Sequence, residues 1–447
     1  MLIRIPASRA RPLLANMLRQ ALACAHAGRA LRRSLRKDGD HLTIGRRRYD
    51  LRDFERIVVV GAGKAAATMA RAIEPILGRH LDGGVVVVKY GHGLPTTRIA
   101  VVEAGHPLPD RAGLMAARRI MKLVTGLTAR DLLIVLLSGG ASSLMPAPVS
   151  GVTLGDKQRV TEQLLRCGAS IAEVNTVRKH LSNLKGGRLA ALSDARIVTL
   201  ILSDVIGDQL SAIGSGPTAN DSTTYDDAIQ CLRRYGLWSS APRSVRRHLI
   251  RGVDGRLTET PKPGATPFRR VQHEIIGNNA MALAALIATA RAAGWRTLLL
   301  PPFTKDARKA GMEMGRMAKR ILMRRPLPRP CCVMAGGETT VTVTGSGKGG
   351  RAQEFALAAA KAVAGLRGVY IAAVATDGTD GPTDAAGALV SGETSSRAKA
   401  MGLDLNAALS RNDSYRALKR LNCHITTGPT GTNVNDLRII LIEAKNR

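Results

Sequence analysis

The sequence predicts an α/β protein with a mostly parallel sheet and two domains. Short aliphatic runs alternate with helical segments along the 447 residues, while aromatic residues make up only 3% of the chain. Strands that are buried on both faces of a parallel sheet are aliphatic runs of this kind. A chain of this length also suits two domains, at roughly 100 to 200 residues each.

The domain boundary is predicted near residue 255. Four prolines among many basic and polar residues mark the clearest change in composition, at Pro242, Pro261, Pro263 and Pro267. Prolines in such a polar stretch are typical of loops and linkers. We therefore expect one domain over residues 1–255 and a smaller one over residues 256–447.

Aliphatic runs, period-two alternation and helical spacing locate the elements. The predicted strands are 56–60, 85–88, 101–103, 132–137, 198–202, 273–276, 296–300, 331–335, 339–344 and 370–375. The predicted helices include 111–125, 280–293, one that ends near residue 324, and 353–364. The Arg-rich N-terminus resembles a transit peptide, but its apolar spacing from Leu13 to Leu22 favours an amphipathic helix of the fold.

The net charge of +32 has two interpretations. A basic surface could bind nucleic acid or an anionic membrane. The basic residues are dispersed, however, and no aromatic residues for base stacking are interleaved with the densest cluster, at 32–37 and 46–48. We therefore favour a biased composition with an anionic small-molecule substrate, and we expect neither a nucleic acid nor a membrane as partner. The six cysteines form no CxxC pair and are expected to stay reduced in the cytoplasm.

The first glycine-rich turn follows the strand at 56–60 and has the form Gly61-x-Gly63-x-x-Ala66. A strand, a glycine turn and a helix together direct backbone N–H groups at an anion, often a dinucleotide. A dinucleotide site also needs an acid at the end of the second strand. That strand ends in Lys89, and Asp82 precedes it, so an NAD site is disfavoured. Lys64, inside the turn, suits a phosphate.

A second polar loop follows the strand at 132–137. It contains the candidate binding residues Ser138, Gly139, Gly140 and Ser142. Ligands of open α/β sheets gather at the carboxyl ends of strands, although helix capping explains the serines equally well. A later helical stretch adds the cations Arg178 and Lys185 beside a Gly-Gly break.

Aspartates follow two further strands. The candidate metal ligands are Asp204 and Asp208 after strand 198–202, and Asp377 and Asp380 after strand 370–375. Carboxylates at strand ends are typical Mg²⁺ ligands. Loop capping is the alternative for any one of them.

The stretch from Gly336 to Glu354 combines six glycines with two cations. We interpret it as a loop that holds an oxyanion, with Thr376 in a neighbouring loop. Its candidate binding residues are Gly336, Glu338, Lys348, Gly349 and Gly350, with Arg351 as a further cation. The chain has no Walker loop, no HExxH and no nucleophile elbow. Among the chemistries considered, phosphoryl transfer remains, because it needs positioning and charge neutralisation.

These motifs, taken in order, resemble the glycerate 2-kinases of the MOFRL type. The matching segments include GAGKAA, SGGASS, NTVRKHLS, SDVIGD, GGETTVTV, ATDGTDG and TGPTGTNVND. The resemblance implies a Rossmann-like α/β/α N-terminal domain and a smaller α/β MOFRL-like C-terminal domain, with the active site in the cleft between them. It also implies phosphorylation of D-glycerate to 2-phosphoglycerate with ATP and Mg²⁺.

The same resemblance implies that Lys64 and Arg351 are the catalytic cations. The family usually has Asn after this arginine, where this chain has Ala352, and its serine loop is usually richer in glycine. An NAD-dependent hydroxypyruvate reductase is the alternative activity. The sequence leaves open whether the protein is a homodimer.

Overall fold

The structure is a computed structural model that describes residues 3–324 and 326–444. The chain forms two compact units. The first is Ala27–Ile276, and the second combines Met1–His26 with Gly277–Arg447. Within the described residues, no helix is both long and apolar enough to cross a bilayer.

Strands and helices occur in both units. The strands are β1 (Leu35–Asp38), β2 (His41–Ile44), β3 (Arg47–Asp50), β4 (Ile57–Ala62), β5 (Gly83–Lys89), β6 (Ile99–Ala104), β7 (Leu132–Ser138), β8 (Arg196–Leu202), β9 (Val271–Gly277), β10 (Arg296–Leu299), β11 (Cys331–Ala335), β12 (Val369–Ala375), β13 (Gly387–Ser391), β14 (His424–Ile425) and β15 (Asp436–Ile442). The helices are α1 (Arg11–Ala25), α2 (Ala27–Ser34), α3 (Ala66–Leu77), α4 (Arg111–Thr125), α5 (Ala141–Leu144), α6 (Leu154–Arg166), α7 (Ile171–His180), α8 (Arg188–Ala191), α9 (Tyr225–Arg234), α10 (Arg243–Val253), α11 (Asn279–Ala292), α12 (Ala307–Arg324), α13 (Arg351–Ala362), α14 (Thr394–Ala400), α15 (Leu405–Ser410) and α16 (Ser414–Arg420).

The unit Ala27–Ile276 is built on a six-stranded sheet with the strand order β6-β5-β4-β7-β8-β9. The pairs from β6 to β8 are all parallel. Every residue of β4 and β7 is buried, as expected for central strands that are covered on both faces. Counted along the chain, the order is 3-2-1-4-5-6, which is the Rossmann order with its switch point between the first and fourth strands. The predicted Rossmann-like fold is confirmed.

The other unit contains a mixed sheet in the order β10-β11-β15-β12-β13-β14. Only β10 and β11 pair in parallel, and the remaining pairs are antiparallel. Helices α12 and α13 lie against each other at short range because Gly311 has no side chain. A Cβ at Gly311 would lie 2.2 Å from the carbonyl oxygen of Phe355.

The predicted N-terminal helix is confirmed as α1. It is amphipathic, and its apolar face buries Leu14, Met17, Leu18 and Leu22. This face packs against α11, so the first helix of the chain belongs to the C-terminal unit. Nothing in the local sequence indicates which unit the apolar face covers.

The division between the units differs from the predicted one at residue 255. Strand β9 joins the sheet of the first unit beside β8. The polar, proline-containing segment before β9 is therefore a connection inside that unit. The change in composition marks a loop and not a domain boundary.

The predicted strand at 339–344 is wrong. Thr340 makes an isolated bridge to Asp306, and from Thr342 onward the backbone is bound by a side chain instead of a neighbouring strand. The amides of Thr344 and Gly345 donate to Asn412 Oδ1 at 2.9 and 3.0 Å, and Asn412 Nδ2 donates to the carbonyl of Thr342 at 3.1 Å. Thr339 is buried and Val341 is half-buried, but Val343, the next residue of that face, is exposed, so the period-two alternation does not continue. The other strands and helices predicted above are present, with ends shifted by a few residues.

We expect Gly61→Ala to destabilise the first unit. A Cβ at Gly61 would lie 2.3 Å from the carbonyl oxygen of Leu136, so β4 and β7 would have to separate. The expected loss in the free energy of unfolding is about 1–3 kcal/mol. Urea denaturation would measure it.

The control is Gly155→Ala, inside α6. Its added Cβ would find Thr153 Oγ1 at 3.8 Å, an ordinary contact. This helix substitution should raise stability by roughly 0.5–1 kcal/mol. Equal midpoints for Gly61→Ala and the wild type would contradict the proposed close approach.

Candidate functional site

Two turns interlock where β4 and β7 end. Three successive amides of the first turn donate to its surroundings: Gly63 N to Val87 O at 3.0 Å, Lys64 N to Gly139 O at 2.8 Å, and Ala65 N to Ser138 Oγ at 3.0 Å. Ser138 is buried and acts as an acceptor that fixes the turn. Because these amides are engaged by the chain, anion binding at this turn depends on the Lys64 side chain.

Gly63 and Gly140 allow this contact. Both have positive φ, at +136° and +90°. A Cβ at Gly63 would lie 2.2 Å from Ser138 Oγ, and one at Gly140 would lie 2.8 Å from His106 Cδ2. These glycines are therefore required by close packing between the turns.

Lys64 lies beside a neutral histidine. Its side chain is half-buried and makes no hydrogen bond or ion pair with residues 3–324 or 326–444. A Cβ at Gly140 would touch both His106 and Lys64 Cγ, which places the two side chains around the same glycine. Burial, helped by the charges of Lys64 and Lys89, lowers the pKa of His106 to about 4. At neutral pH Lys64 therefore supplies the positive charge and His106 supplies none.

The acid expected of a dinucleotide site lies at the wrong edge of the sheet. Asp82 precedes β5, and its Oδ2 accepts a hydrogen bond from the amide of Ile57 at 2.7 Å. Asp82 thus stabilises the start of β4, while β5 ends in Lys89. The structure supports the sequence argument against an NAD site.

A serine network connects the loop after β7 to α7. The Oγ atoms of Ser142 and Ser215 lie 2.8 Å apart, and Ser215 Oγ donates to Asn175 Oδ1 at 3.0 Å. The Ser215 carbonyl accepts from the amide of Gly186 at 3.0 Å. Ser142 is therefore held in place by hydrogen bonding, and the segment that carries Lys185 lies close by.

Arg178 and Lys185 are cations without acidic partners among residues 3–324 and 326–444. Lys185 is 1% exposed, and its ammonium has no hydrogen-bond partner among the described residues. Burial, together with the charge of Arg178, lowers the pKa of Lys185 to about 7. Burial also lowers the pKa of Arg178. An uncompensated buried cation of this kind is a candidate anion site.

Asp204 and Asp208 follow β8 as predicted, and both are half-buried. Asp208 has a φ of +52°, in the left-handed region that non-glycine residues rarely adopt. Within the part of the chain that the structure describes, no three histidine, cysteine or carboxylate side chains converge as a metal site.

In the C-terminal unit, the glycines of the predicted oxyanion loop lie against neighbouring backbone or side-chain atoms. A Cβ at Gly347 would lie 2.4 Å from the carbonyl oxygen of Arg411, one at Gly349 2.2 Å from Ser414 Oγ, and one at Gly350 2.4 Å from Asp380. Gly336 has a comparable approach to Asn279 Oδ1, at 1.6 Å. Close packing alone thus accounts for much of the glycine content.

Arg351, the first residue of α13, is held by two acids. Its Nε and Nη2 donate to the two carboxylate oxygens of Asp436 at 2.9 and 3.0 Å, and its Nη1 donates to Glu338. Asp436 is fully buried and also accepts from Arg438 at 3.0 Å. Burial alone would lower the pKa of Arg351, but the charges of Asp436 and Glu338 raise it. Arg351 is thus positioned and already neutralised.

Asp380 caps a helix. Its carboxylate accepts from the amides of Ala352 and Gln353 at 3.0 and 2.8 Å, at the start of α13. Burial raises its pKa to about 6 in spite of these donors. Its oxygens are used by the helix N-terminus, so the capping alternative describes Asp380 better than metal ligation.

Three further predicted residues have local contacts. Asp377 Oδ1 accepts from the amide of Thr379 at 3.1 Å. Buried Thr376 donates through its hydroxyl to the carbonyl of Asn435 at 2.6 Å. Lys348 is exposed, and its ammonium lies 5.0 Å from the centre of the Tyr415 ring.

Sequence reasoning missed several residues of these clusters. They are His106, Lys157, Asn175, Ser215 and Asp436. The position of His106 after β6 could have indicated it, since carboxyl ends of parallel strands meet at one edge. Asp436 had no comparable signal, because its partner Arg351 is 85 residues away in the chain.

The chain is similar to known proteins over both units. The model described as "Domain of unknown function (DUF4147)" matches residues 13–250, and that of the MOFRL family matches residues 331–436. A D-glycerate 2-kinase of Thermotoga maritima is 44% identical over 394 residues, covering 87% of this chain and 91% of that protein. An Agrobacterium vitis relative, provisionally named a hydroxypyruvate reductase, is 44% identical over 396 residues, 87% of each chain. A crystal structure of a Thermotoga maritima glycerate kinase is 40% identical and covers 97% of this chain and 99% of its own, with a TM-score of 0.86.

We expect Asp436→Asn to destabilise the C-terminal unit strongly. The change removes the negative charge between Arg351 and the fully buried Arg438 and leaves two guanidinium groups facing each other. Breaking a buried pair in this way costs about 3–5 kcal/mol. Chemical denaturation would measure the change in the free energy of unfolding.

The control is Glu162→Gln. Glu162 pairs with Arg166 at the surface, where the two side chains are 53% and 76% exposed. Its loss should change stability by less than about 1 kcal/mol. Equal effects of the two substitutions would count against a structural role of Asp436.

Proposed function

The chain belongs to the family of MOFRL-type glycerate 2-kinases, and on that premise we propose that it transfers the terminal phosphoryl group of ATP to D-glycerate, forming 2-phosphoglycerate. The observation that carries the activity is the similarity to glycerate kinases along nearly the whole chain, in sequence and in fold. Glycerate phosphorylation is therefore the activity of this enzyme. ATP, Mg²⁺, the D-isomer and the 2-position are the finer parts of the proposal. A cytoplasmic location and a homodimeric state stay predictions.

Lys64 is our first candidate for a catalytic residue. Phosphoryl transfer depends on positioning and on neutralising charge that spreads over phosphoryl oxygens. The Lys64 turn is fixed by Ser138 and Gly139, while its ammonium has no acidic partner among the described residues. A positioned lysine with no acid beside it supports a role in binding a phosphoryl oxygen or the glycerate carboxylate.

Arg351 is our second candidate, with a condition that the structure imposes. Asp436 occupies one edge of its guanidinium, and Glu338, whose side chain is 46% exposed, occupies the other. A substrate oxyanion that replaced Glu338 would leave the buried Asp436 contacts intact. Arg351 would then donate from a fixed position, which suits recognition of an oxyanion.

The loop residues divide between structural and binding roles. We propose that Ser142 and the cations Arg178, Lys185 and Lys348 contact substrates. Ser138, Thr376 and the glycines, in contrast, support the loops through the contacts described above. For the cations the assignment follows from the lack of an acidic partner among the described residues, and for Ser142 from its place in the loop after β7, where Ser215 Oγ holds its hydroxyl.

The acidic residues suit Mg²⁺ held mainly by phosphates. Mg²⁺ keeps several waters and is usually bound by one or two carboxylates together with substrate phosphates. The described residues hold no cluster of three histidine, cysteine or carboxylate side chains, which fits this mode. We propose Asp204 and Asp208, which follow β8, as the residues that would hold it, with Asp377 of the C-terminal unit as a separate candidate. Bound there, the ion would neutralise phosphate charge.

A hydroxypyruvate reductase is the second candidate, because two relatives from Agrobacterium vitis carry that name. It would need NAD(H), and two observations oppose this. Asp82 lies before β5 and binds the amide of Ile57. The amides of Gly63, Lys64 and Ala65 are also engaged within the chain and cannot bind a pyrophosphate.

We expect the purified protein to release ADP when supplied with ATP, Mg²⁺ and D-glycerate. Phosphorus NMR should show 2-phosphoglycerate, and EDTA should abolish turnover. A parallel assay with NADH and hydroxypyruvate should show no loss of absorbance at the nicotinamide band. NADH consumption without ADP release would favour the reductase instead.

We expect Lys64→Met to lower kcat/KM by a factor on the order of 10² to 10³, the usual effect of losing one charge-stabilising group. Lys122→Met is the control, since Lys122 is exposed in the last turn of α4 and the substitution removes the same charge. The control should keep wild-type kinetics. Unchanged kinetics for Lys64→Met would remove Lys64 from the catalytic assignment.

A further inference from the structure

Three cations from neighbouring elements form a buried cation cluster, which we define as Lys157, Arg178 and Lys185. Lys157 comes from α6, Arg178 from the last turn of α7, and Lys185 from the segment that follows α7. The two lysines are 6% and 1% exposed. Lysine is almost never this deeply buried without an acidic partner.

The three members differ in how their donors are satisfied. Lys157 Nζ donates to the carbonyls of Arg178 and Leu181 at 3.3 and 3.2 Å, at the C-terminal end of α7. The Lys185 ammonium finds no acceptor among residues 3–324 and 326–444. One cation is thus tied to the end of a helix, and its neighbour is left with three unused donors.

No acid compensates this positive charge within the described residues. The charged groups that act on Lys157 and Lys185 are the other members of the cluster, all of them cations. The nearest acids of the same segment serve other pairs: Lys179 with Asp221 at 3.1 Å, and His180 with Glu259 at 2.9 Å. The cluster is therefore short of one anion.

Burial of these charges has a measurable consequence. A cation in a low-dielectric site loses its hydration, so its neutral form is favoured. Burial, and then the charge of Arg178, lowers the pKa of Lys185 to about 7. Burial, and then the charges of Lys185 and Arg178, lowers that of Lys157 well below its ordinary value. Near neutral pH without ligand, Arg178 carries most of the charge.

The cluster adjoins the loop after β7. The amide of Gly186, next to Lys185, donates to the Ser215 carbonyl at 3.0 Å. The Ser215 hydroxyl in turn bonds Ser142 and Asn175. An anion bound at Lys185 would therefore lie near the polar loop to which the proposed function assigns substrate contacts.

We propose that Lys157, Arg178 and Lys185 form the subsite for the carboxylate of glycerate, and that Lys185 takes up a proton when the carboxylate binds. The inference rests on the proposed function, since glycerate is its substrate. A carboxylate offers two oxygens, one for the Arg178 guanidinium and one for the Lys185 ammonium. A phosphate group shares this oxyanion chemistry, and the binding experiments below distinguish the two.

Whether protons are taken up or released on binding follows from the lowered pKa of Lys185 in the free enzyme. Below pH 7, Lys185 is already protonated in the free enzyme, and binding takes up no proton. Above pH 7 the free enzyme holds neutral Lys185, and an adjacent carboxylate raises its pKa. Uptake should therefore approach one proton per glycerate at about pH 8.

Titration calorimetry without nucleotide tests both the carboxylate subsite and the proton uptake by Lys185. Glycerate is titrated at pH 6 and pH 8 in buffers that differ in ionisation enthalpy, which gives the number of protons taken up. Lys185→Met should raise Kd by a factor of roughly 10 to 100, as expected for loss of a hydrogen bond to a charged group. Lys185→Arg should keep most of the affinity but take up fewer protons than the wild type, because arginine stays protonated.

Two further variants test whether the loss of affinity is specific to the buried cation cluster. Lys122→Met removes an exposed lysine and should bind glycerate like the wild type. Arg178→Gln tests the cluster through a partly exposed member and should also raise Kd. Lys185→Met should melt no lower than the wild type, since it removes an uncompensated buried charge.

The outcomes separate this inference from the proposed function. Absence of phosphoglycerate from the wild-type enzyme would overturn the function. Phosphoglycerate formation, with glycerate bound as tightly by Lys185→Met as by the wild type, would overturn the inference alone. So would a Lys185→Met variant that lost affinity only for a non-hydrolysable ATP analogue or for inorganic phosphate, since the cluster would then be a phosphate site.

Discussion

The contact between the turns after β4 and β7 is the constraint on which the proposed site of the first unit depends. Two strands that are adjacent in the sheet but distant in the chain bring Lys64 and the serine loop together. Gly63 must lack a side chain, Ser138 must accept a hydrogen bond, and the carbonyl of Gly139 must face the amide of Lys64. Because the backbone amides of the turn are engaged in this contact, anion binding at the turn depends on the Lys64 side chain. That shift distinguishes the site from a dinucleotide site built on the same strand order.

The elements of the fold could be predicted because aliphatic strands and amphipathic helices are local patterns. What the sequence could not indicate was which surface an apolar face would cover. Helix α1 was predicted correctly as a helix, yet it joins the C-terminal unit by packing on α11. The Thr-Val alternation at 339–344 was misleading for a related reason. Asn412, distant in the chain, supplies the hydrogen bonds that a strand would take from its neighbour.

For the candidate site, the sequence indicates which residue types lie near the glycine-rich loops, but not which of them are already paired inside the chain. Lys64, Arg178 and Lys185 were chosen as cations near glycines, and the structure adds that no acid is paired with them among the described residues. Arg351 was chosen in the same way but is paired with Asp436 and Glu338. Gly347 and Gly349, which the sequence indicates as parts of an anion loop, are required by close packing against the Arg411 carbonyl and the Ser414 hydroxyl. Such differences arise from contacts between distant segments, and no local pattern records them.

A cation that is paired with acids and one that has no acidic partner have different consequences for substrate binding. A cation already paired with acids, such as Arg351, can bind a substrate only by exchanging one partner, so its affinity is reduced by the acid that it gives up. A buried lysine with no acid beside it among the described residues, such as Lys185, gains its first partner on binding and gains a proton as well. The first arrangement favours positioning at the expense of affinity, and the second couples affinity to pH. An enzyme that binds two anionic substrates can use both arrangements. The affinity for only one of the two substrates then depends on protonation near neutral pH.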